Sequence, residues 1–296
     1  MDHRCLIAGC GYTGLRLARR LQPQWRVAAL ARSDAAAASL TAVGVTPVRA
    51  DLDATLATGA LAPAADGAAL AYLVPPPETG ENDPRLARFL AALGAARPTA
   101  FLYMSTTGVY GDARGDLVTE ASPVAPANDR SRRRVAAEAT AGAWCASRGV
   151  RCVVLRVPGI YGPHRLPLER LRRAEPVLRT EDAGPGNRIH VDDLVAACLA
   201  VLERPAQGTF NVTDGNPATT TEFLQRTAAL AGLPSPPLVS LAVAADRISP
   251  GMLAFLRESR RVDNRRMLEQ LGVVLRYARL DDGIAASLAE MRAASG

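Results

Sequence analysis

The segment IAGCGYTG, residues 7–14, constrains the fold of this chain more than any other feature. Gly9, Gly11 and Gly14 follow a strand-like run, RCLIAG, and open a helical pattern, YTGLRLARRL. In that context the GxGxxG spacing predicts a strand-to-helix turn whose free amides bind a dinucleotide diphosphate. The alternative is a plain strand-to-helix turn without a ligand. We assign cofactor contacts to every residue of the turn: Gly9, Cys10, Gly11, Tyr12, Thr13 and Gly14.

The alternation of apolar runs and helical patterns predicts the fold class. After the first strand we expect strands in RVAALAR, VTPVRADL, AALAYLV, TAFLYMST and VRCVVLRV. Strands that are apolar on both faces and alternate with helices indicate an α/β fold, a Rossmann-type doubly wound parallel sheet. After Pro158 the pattern changes to Pro-, Gly- and Arg-rich loops with shorter helices, which indicates a small C-terminal substrate lobe. We expect a dinucleotide-binding domain over 1–157 and a lobe over 158–296, with segments around 189–215 returning to the Rossmann core.

Composition narrows the class of protein further. No apolar run approaches the roughly 20 residues that span a bilayer, and the N-terminus enters a strand without a signal-like leader. We therefore expect a soluble cytoplasmic protein with no membrane partner. Five cysteines without CxxC spacing and three histidines predict no metal site. The net charge of +6 does not indicate nucleic-acid binding, but it suits an anionic cofactor or substrate.

The end of the second strand, ALARSD, bears on the choice of cofactor. An NAD site usually has an acidic residue here that binds the ribose hydroxyls. This chain has Arg32 followed by Ser33, and a guanidinium suits the 2′-phosphate of NADP. We predict NADP, with NAD as the alternative because Asp34 lies two residues further on. Arg32 could also be an ordinary solvated strand end.

Several further segments occur in a characteristic order: FLYMSTTGVYGD, VTEASPVAP, RRRVAAEA, VLRVPGIYGP, RIHVDDLVAACLAVLE and GTFNVTDG. With the glycine turn they span roughly residues 4 to 215. This series resembles the short-chain dehydrogenase/reductase superfamily, in its extended or atypical branch of epimerase/dehydratase-like proteins. The resemblance implies the Rossmann fold and NAD(P) binding, but it does not specify a substrate. It also implies homodimerisation through the helices after strands four and five.

The resemblance implies roles for individual residues. Thr106 matches the catalytic Ser/Thr that hydrogen-bonds the reacting oxygen, and Ser105 and Thr107 are the alternatives. The turn VPGIYGP resembles the segment that holds the nicotinamide amide, so we assign cofactor contacts to Pro158 and, after strand four, to Val74. Asp192 and Asp193 in IHVDD are interpreted as helix N-terminal residues rather than catalytic acids.

The arginine-rich sequence NDRSRRRVAAEA departs from the family's YxxxK motif. Counting back from Glu138 places Arg134 at the Lys position and Arg130 at the Tyr position. Arg134 can still bind a ribose hydroxyl, whereas Arg130 cannot exchange a proton near neutral pH because its pKa is above about 12. We assign Arg130 and Arg134 to the catalytic cleft, and Arg132 and Arg133 to a solvated face.

Because the family's proton-donating Tyr is absent, four other residues are candidates for the proton donor: Asp129, Tyr110, Tyr161 and His164. A second basic set lies in the expected substrate segment and could bind an anionic substrate or line a solvated helix: Arg165, Arg170, Arg172, Arg173, Arg179 and Arg188.

The resulting hypothesis is an NADP-dependent oxidoreductase or epimerase/dehydratase-like enzyme for a small anionic metabolite or nucleotide sugar. The alternative is a catalytically inactive NAD(P)-binding redox sensor or regulatory protein.

Overall fold

The computed structural model of this chain describes residues 3–245 and 259–294. Strands and helices alternate from the start. The N-terminal elements are β1 His3–Ala8, α1 Tyr12–Leu21, β2 Trp25–Ala31, α2 Asp34–Thr41, β3 Thr46–Arg49, α3 Ala62–Ala65, β4 Ala69–Tyr72, α4 Pro84–Ala92, β5 Ala100–Thr106, a 3₁₀ turn Thr107–Tyr110, β6 Leu117–Val118, α5 Asp129–Ala146 and β7 Arg151–Val157.

The second half has shorter elements. They are β8 Gly159–Tyr161, α6 Leu168–Arg172, β9 Val177–Leu178, a 3₁₀ turn Thr180–Asp182, β10 Arg188–His190, α7 Val191–Glu203, β11 Gly208–Asn211, α8 Thr220–Ala231, β12 Leu238–Val239, α9 Leu241–Ala245, β13 Arg261–Val262, α10 Arg265–Gln270 and α11 Leu280–Ala293.

Within the described residues, seven strands form one central sheet in the order β3-β2-β1-β4-β5-β7-β11. All of its strand pairs are parallel, which confirms the predicted Rossmann-type sheet. The strand order reverses between β1 and β4, and ligands of such sheets bind where the order reverses, at the carboxyl ends of the strands. At that edge Thr106 of β5 lies opposite Val157 of β7.

Both faces of the sheet are covered, as expected for strands that are apolar on both sides. One face packs against α1 and α7 through residues such as Leu17 and Leu194. The other packs against α4 and α5 through residues such as Phe89 and Ala137. Asn128 is the N-cap of α5, and its side chain accepts a hydrogen bond from the Ser131 amide at 2.9 Å.

A separate apolar cluster forms beyond β7. Its core joins β8 and α6 with α8 and α11, through Tyr161, Leu168, Phe223 and Ile284. Within the described residues, 3–245 and 259–294, no helix is both long enough and apolar enough to cross a membrane.

Candidate active site

The glycine turn between β1 and α1 has the close contacts that its spacing predicts. Gly9 has a φ of +93°, and a Cβ there would lie 2.9 Å from the backbone of Leu73 and Val74, at the end of β4. A Cβ on Gly14 would overlap the carbonyl oxygen of Gly9. At Gly11, in contrast, a Cβ would meet no atom of the described residues within 4 Å. The turn therefore leaves open space above Gly11, where a diphosphate would approach the backbone.

The first turn of α1 has no side chain of its own to satisfy its amides. Gly11 is the N-cap and supplies no side-chain hydrogen bond. Thr13 is buried against the sheet, and burial raises the pKa of the neighbouring Cys10 thiol to about 11. The free N–H groups and the positive end of the helix dipole suit an anionic ligand.

Arg32 and Ser33 follow β2 at the same edge of the sheet. Ser33 caps α2 by accepting a hydrogen bond from the Ala36 amide at 3.2 Å, and the Arg32 side chain is exposed. Asp34, which made NAD the alternative, lies 3.5 Å from the guanidinium of Arg49. The acidic residue therefore has a cationic partner, whereas Arg32 is open to a ligand.

The three hydroxyl residues at the end of β5 differ in access. Ser105 and Thr107 are each 4% exposed, and the Ser105 hydroxyl donates to Glu138. Thr106 is more exposed, and its Oγ1 accepts a hydrogen bond from the Gly108 amide at 3.1 Å. Thr106 is therefore the hydroxyl most available to a substrate in this cluster. Val74 and Pro158, at the ends of β4 and β7, are both partly buried at the same edge.

Arg134 lies beneath this edge and is 9% exposed. Its Nη1 donates to the carbonyl oxygen of Met104 at 2.7 Å and to the Tyr103 hydroxyl at 3.1 Å. Its Nε and Nη2 have no hydrogen-bond partner in the described part of the chain, nor are they fully enclosed. Arg130, one helical turn earlier, is exposed and makes no hydrogen bond or ion pair with the described residues. Two guanidinium groups thus remain available on neighbouring turns of α5.

The expectation that Arg132 and Arg133 share a solvated face is wrong for Arg133. Arg132 is exposed and forms an ion pair with Asp129 at 2.5 Å. Arg133 is only 4% exposed, and its guanidinium donates to the carbonyl oxygens of Gly80 and Glu78 at 2.7 and 2.8 Å. It therefore anchors the loop that follows β4 to helix α5.

The structure limits the candidates for the missing proton donor. The buried Tyr110 hydroxyl donates to Asn211 at 2.7 Å. Tyr161 is 2% exposed within the lobe core, and burial raises its pKa far above the usual range. The Asp129 carboxylate is bound to Arg132, which lowers its pKa. His164 is exposed, with a φ of +61°.

The second basic set divides into three groups. Arg170, Arg172 and Arg173 form ion pairs with Glu169 or Glu175 on and beside α6, as expected of a solvated helix. Arg188 is buried and donates to Ala218 and Thr220, which neither interpretation of the set anticipated. Arg165 and Arg179 are exposed.

Sequence reasoning missed a buried charge network beneath the candidate site. Arg156 of β7 forms two hydrogen bonds to the Glu138 carboxylate, at 3.2 and 2.8 Å, and both side chains are nearly buried. The Arg156 guanidinium also lies 4.9 Å from the centre of the Tyr110 ring. The only sequence signal for this network was Glu138, which the family pattern places four residues after the Lys position.

Two acidic residues at the start of α7 have structural contacts. His190 is the N-cap of α7, and Asp192 and Asp193 lie in its first turn, as interpreted. The Asp193 carboxylate is buried and accepts hydrogen bonds from the amides of Arg276 and Tyr277 at 2.8 and 3.0 Å. In the parts of the chain that the structure covers, no group of three or more His, Cys, Asp or Glu residues could hold a metal ion.

Comparisons with known proteins identify the family and match the fold. The model of the NAD dependent epimerase/dehydratase family matches residues 5–213. Human dTDP-D-glucose 4,6-dehydratase is 28% identical over 127 residues, which cover 40% of this chain and 36% of that enzyme. The chain thus spans about a third of the length of the curated relatives it matches.

Solved structures extend the likeness over nearly the whole chain. A conserved protein of unknown function from Silicibacter pomeroyi is 32% identical, with a TM-score of 0.81 and coverage of 98% of this chain and 99% of that one. UDP-glucuronic acid 4-epimerase from Bacillus cereus, in complex with NAD, is 16% identical, with a TM-score of 0.78 and coverage of 99% and 100%. A human epimerase family protein with NADPH is 21% identical, with a TM-score of 0.71 and coverage of 95% and 98%. The last two show a shared fold.

Proposed function

We propose that this chain, which belongs to the NAD dependent epimerase/dehydratase family, is an NADP-dependent oxidoreductase or epimerase/dehydratase-like enzyme that acts on a small anionic metabolite or nucleotide sugar. The observation that carries the proposal is the open space above Gly11, at the point where the strand order reverses. At Gly9 and Gly14, in contrast, an added Cβ would come within 3 Å of the backbone. A dinucleotide diphosphate would therefore approach the turn at Gly11.

The residues at the carboxyl edge of the sheet fit the remaining parts of the cofactor. Arg32 and Ser33 would bind the 2′-phosphate of the adenosine ribose, because the guanidinium is exposed and forms no ion pair with the described residues. Val74 and Pro158 would contact the nicotinamide half, and Arg134 would bind its ribose. The cofactor supplies the hydride chemistry, while the protein supplies orientation and charge.

Thr106 would hydrogen-bond the substrate oxygen whose carbon exchanges the hydride. It is the accessible hydroxyl at the end of β5, next to the strand that leads into Pro158. Arg134 would stabilise negative charge that develops on this oxygen, since its Nε and Nη2 have no partner in the described chain. Arg130 cannot transfer the proton, and the Tyr110 and Tyr161 hydroxyls are buried, so we propose that the proton exchanges with water in the cleft, with the exposed His164 as the alternative.

The anionic character of the substrate is inferred from unpaired charge. Arg130 and Arg134 form no ion pair with the described residues, and Arg130 lies in the first turn of α5, near the positive end of its dipole. Bound anions are favoured in such a place. Two similar proteins, a dTDP-D-glucose 4,6-dehydratase and a UDP-glucuronic acid 4-epimerase in complex with UDP-glucuronic acid, are named for anionic nucleotide sugars, which supports this inference.

The test is single-turnover oxidation of bound NADPH, followed by fluorescence, against a panel of carbonyl metabolites and nucleotide sugars. Turnover that is lost in Thr106→Val and kept in Thr106→Ser would support the enzyme, because serine retains the hydroxyl. Failure of the wild-type protein to bind any pyridine dinucleotide would overturn the proposal.

The second candidate function is a catalytically inactive NAD(P)-binding sensor or regulator. It is favoured by the sequence NDRSRRRVAAEA, in which we predict Arg130 and Arg134 at the positions of the family's proton-transferring Tyr and its Lys. Saturable NADPH binding without turnover of any substrate in the same panel would favour this candidate over the enzyme.

A further inference from the structure

The ring of Tyr12, the first residue of α1, lies between two guanidinium groups. Arg16 of α1 lies 4.2 Å from the ring centre, and Arg165, from the segment after β8, lies 4.1 Å from it. The Tyr12 hydroxyl donates to the carbonyl oxygen of Pro163 at 2.8 Å. The glycine turn is therefore in direct contact with the first residues of the substrate lobe.

The two guanidinium groups differ in their partners. Arg16 forms an ion pair with Glu290 of α11 at 3.4 Å and donates to the Tyr12 carbonyl oxygen. The Arg165 guanidinium makes no hydrogen bond or ion pair with residues 3–245 or 259–294; only its backbone amide does, to Gly162 at 3.0 Å. The side chain is exposed. One cation without a counter-ion therefore lies beside the N-terminal turn of α1.

The Arg165 guanidinium lies against the ring of the first residue of α1, where its positive charge favours a bound anion. A cation near a helix N-terminus is repelled by the positive end of the helix dipole, and Arg16 adds a second positive charge on the other face of the ring. A ligand phosphate at Gly11 would remove this repulsion. Stacking on Tyr12 covers only the face of the Arg165 guanidinium, so the N–H groups on its edge remain free to donate.

We propose that Arg165 is a ligand of the cofactor diphosphate, brought to the glycine turn by the substrate lobe. The proposal rests on the proposed NADP function and adds a residue outside the Rossmann domain to the diphosphate site. The Tyr12 ring is the platform that holds Arg165 in place, and the hydrogen bond to Pro163 sets the distance between turn and lobe.

The experiment compares three ligands by calorimetric titration: NADPH, the 2′-phosphate of ADP-ribose, and 2′-AMP, which has no diphosphate. Arg165→Ala should weaken NADPH and the ADP-ribose derivative by about tenfold to a hundredfold, as for loss of a charged hydrogen bond. It should leave 2′-AMP unchanged, and Arg165→Lys should recover part of the loss. Arg172→Ala is the matched control, because Arg172 is in the same segment but is paired with Glu169.

Three outcomes would count against the inference. Equal binding of all ligands by wild type and Arg165→Ala would overturn the role of Arg165 while leaving the proposed function intact. Equal weakening of 2′-AMP and NADPH would show a general charge effect, which also overturns it. No binding by the folded wild-type protein would overturn both proposals together. Thermal melts check that each variant is folded.

Discussion

Arg134 of α5 donates a 2.7 Å hydrogen bond to the carbonyl oxygen of Met104, two residues before Thr106 on β5. The residue that we predict to occupy the family's Lys position is therefore hydrogen-bonded to the strand that carries the candidate catalytic hydroxyl. A guanidinium can make this bond with one nitrogen and still offer others to a ligand, because it has five donors. Arg134 thus has both a structural contact and free donors.

We expect Arg134→Met to lower the free energy of unfolding and to weaken cofactor binding. Loss of a charged donor to the buried Met104 carbonyl should cost about 1.5 to 3 kcal/mol. Urea denaturation and NADPH titration would measure the two effects. Arg132→Met is the control, because that exposed arginine has only an exposed ion pair with Asp129 and a 3.4 Å hydrogen bond to the Pro126 carbonyl oxygen among the described residues, and its loss should change stability by less than about 1 kcal/mol. Equal stability of the two variants would refute the anchoring role.

Arg32→Asp should weaken binding of NADPH by about tenfold to a hundredfold while changing NADH binding much less. The reason is that a charge-assisted bond to the 2′-phosphate is lost, and NADH has no such phosphate. Fluorescence titration with both cofactors measures the ratio. Arg20→Asp, at the exposed end of α1, changes the net charge equally and serves as the control. Parallel losses for NADPH and NADH would contradict the assignment of Arg32.

Alanine at Gly11 and at Gly14 should have opposite effects on stability and binding. A methyl group at Gly11 meets open space within the described protein, so the fold should persist while the diphosphate loses its room. A methyl group at Gly14 overlaps the Gly9 carbonyl, so Gly14→Ala should unfold at a lower temperature. Thermal melts with and without NADPH distinguish the two. A Gly11→Ala protein that NADPH still stabilises like wild type would remove the main support for the cofactor site.

The raised pKa of Asp214 makes the stability of the folded protein depend on pH. Its side chain is buried, its Oδ2 has no hydrogen-bond partner among the described residues, and burial raises its pKa to about 7 from the usual 3.8. Between these values the folded state binds more protons than the unfolded state, so this group lowers stability as the pH rises from about 4 to about 7.

Asp214→Asn should therefore stabilise the protein at pH 8 by about 2 to 4 kcal/mol and change little at pH 4. The amide oxygen can keep the hydrogen bond from the Asn216 amide, which measures 2.9 Å in the wild-type protein. Thermal melts of both proteins across this range give the difference. A variant that is less stable than wild type at pH 8 would show that the carboxylate is compensated in the folded state.

Glu138→Gln should destabilise the protein strongly, because it leaves the Arg156 guanidinium nearly buried without its countercharge. Breaking one side of a buried pair typically costs about 3 to 5 kcal/mol. The matched control is Asp281→Asn, which removes the exposed partner of Arg226 and should cost less than about 1 kcal/mol. Chemical denaturation compares the two variants, and similar small losses would mean that Arg156 is solvated.

The sheet could be predicted because each strand is recognisable from the apolar residues of its own segment. β5 and β7 are apolar on both faces, and a glycine turn directly after β1 identifies the edge at which we expect the cofactor contacts. The expected positions of Thr106, Val74 and Pro158 follow from the ends of those strands. The chemical roles assigned to them remain predictions.

Arg133 shows where sequence reasoning stopped. It precedes Ala137, Ala141 and Cys145 at intervals of four, so it lies on the buried stripe of α5, and this spacing was readable. Its partners were not readable, because the carbonyl groups of Glu78 and Gly80 lie more than fifty residues earlier in the chain. Every residue has a backbone carbonyl, so the sequence does not indicate which carbonyls accept hydrogen bonds from an arginine. An arginine that binds them therefore cannot be distinguished by sequence from a solvated one.

The path of the chain has a consequence for protein engineering. The chain leaves the central sheet after β7, passes through β8 and α6, and returns to add β11 beside β7 before it leaves again. A chimaera that takes its specificity from another family member therefore cannot be made with a single crossover. Two separate stretches must be transplanted together around a retained α7–β11 unit, and each junction must preserve the pairing of β11 with β7.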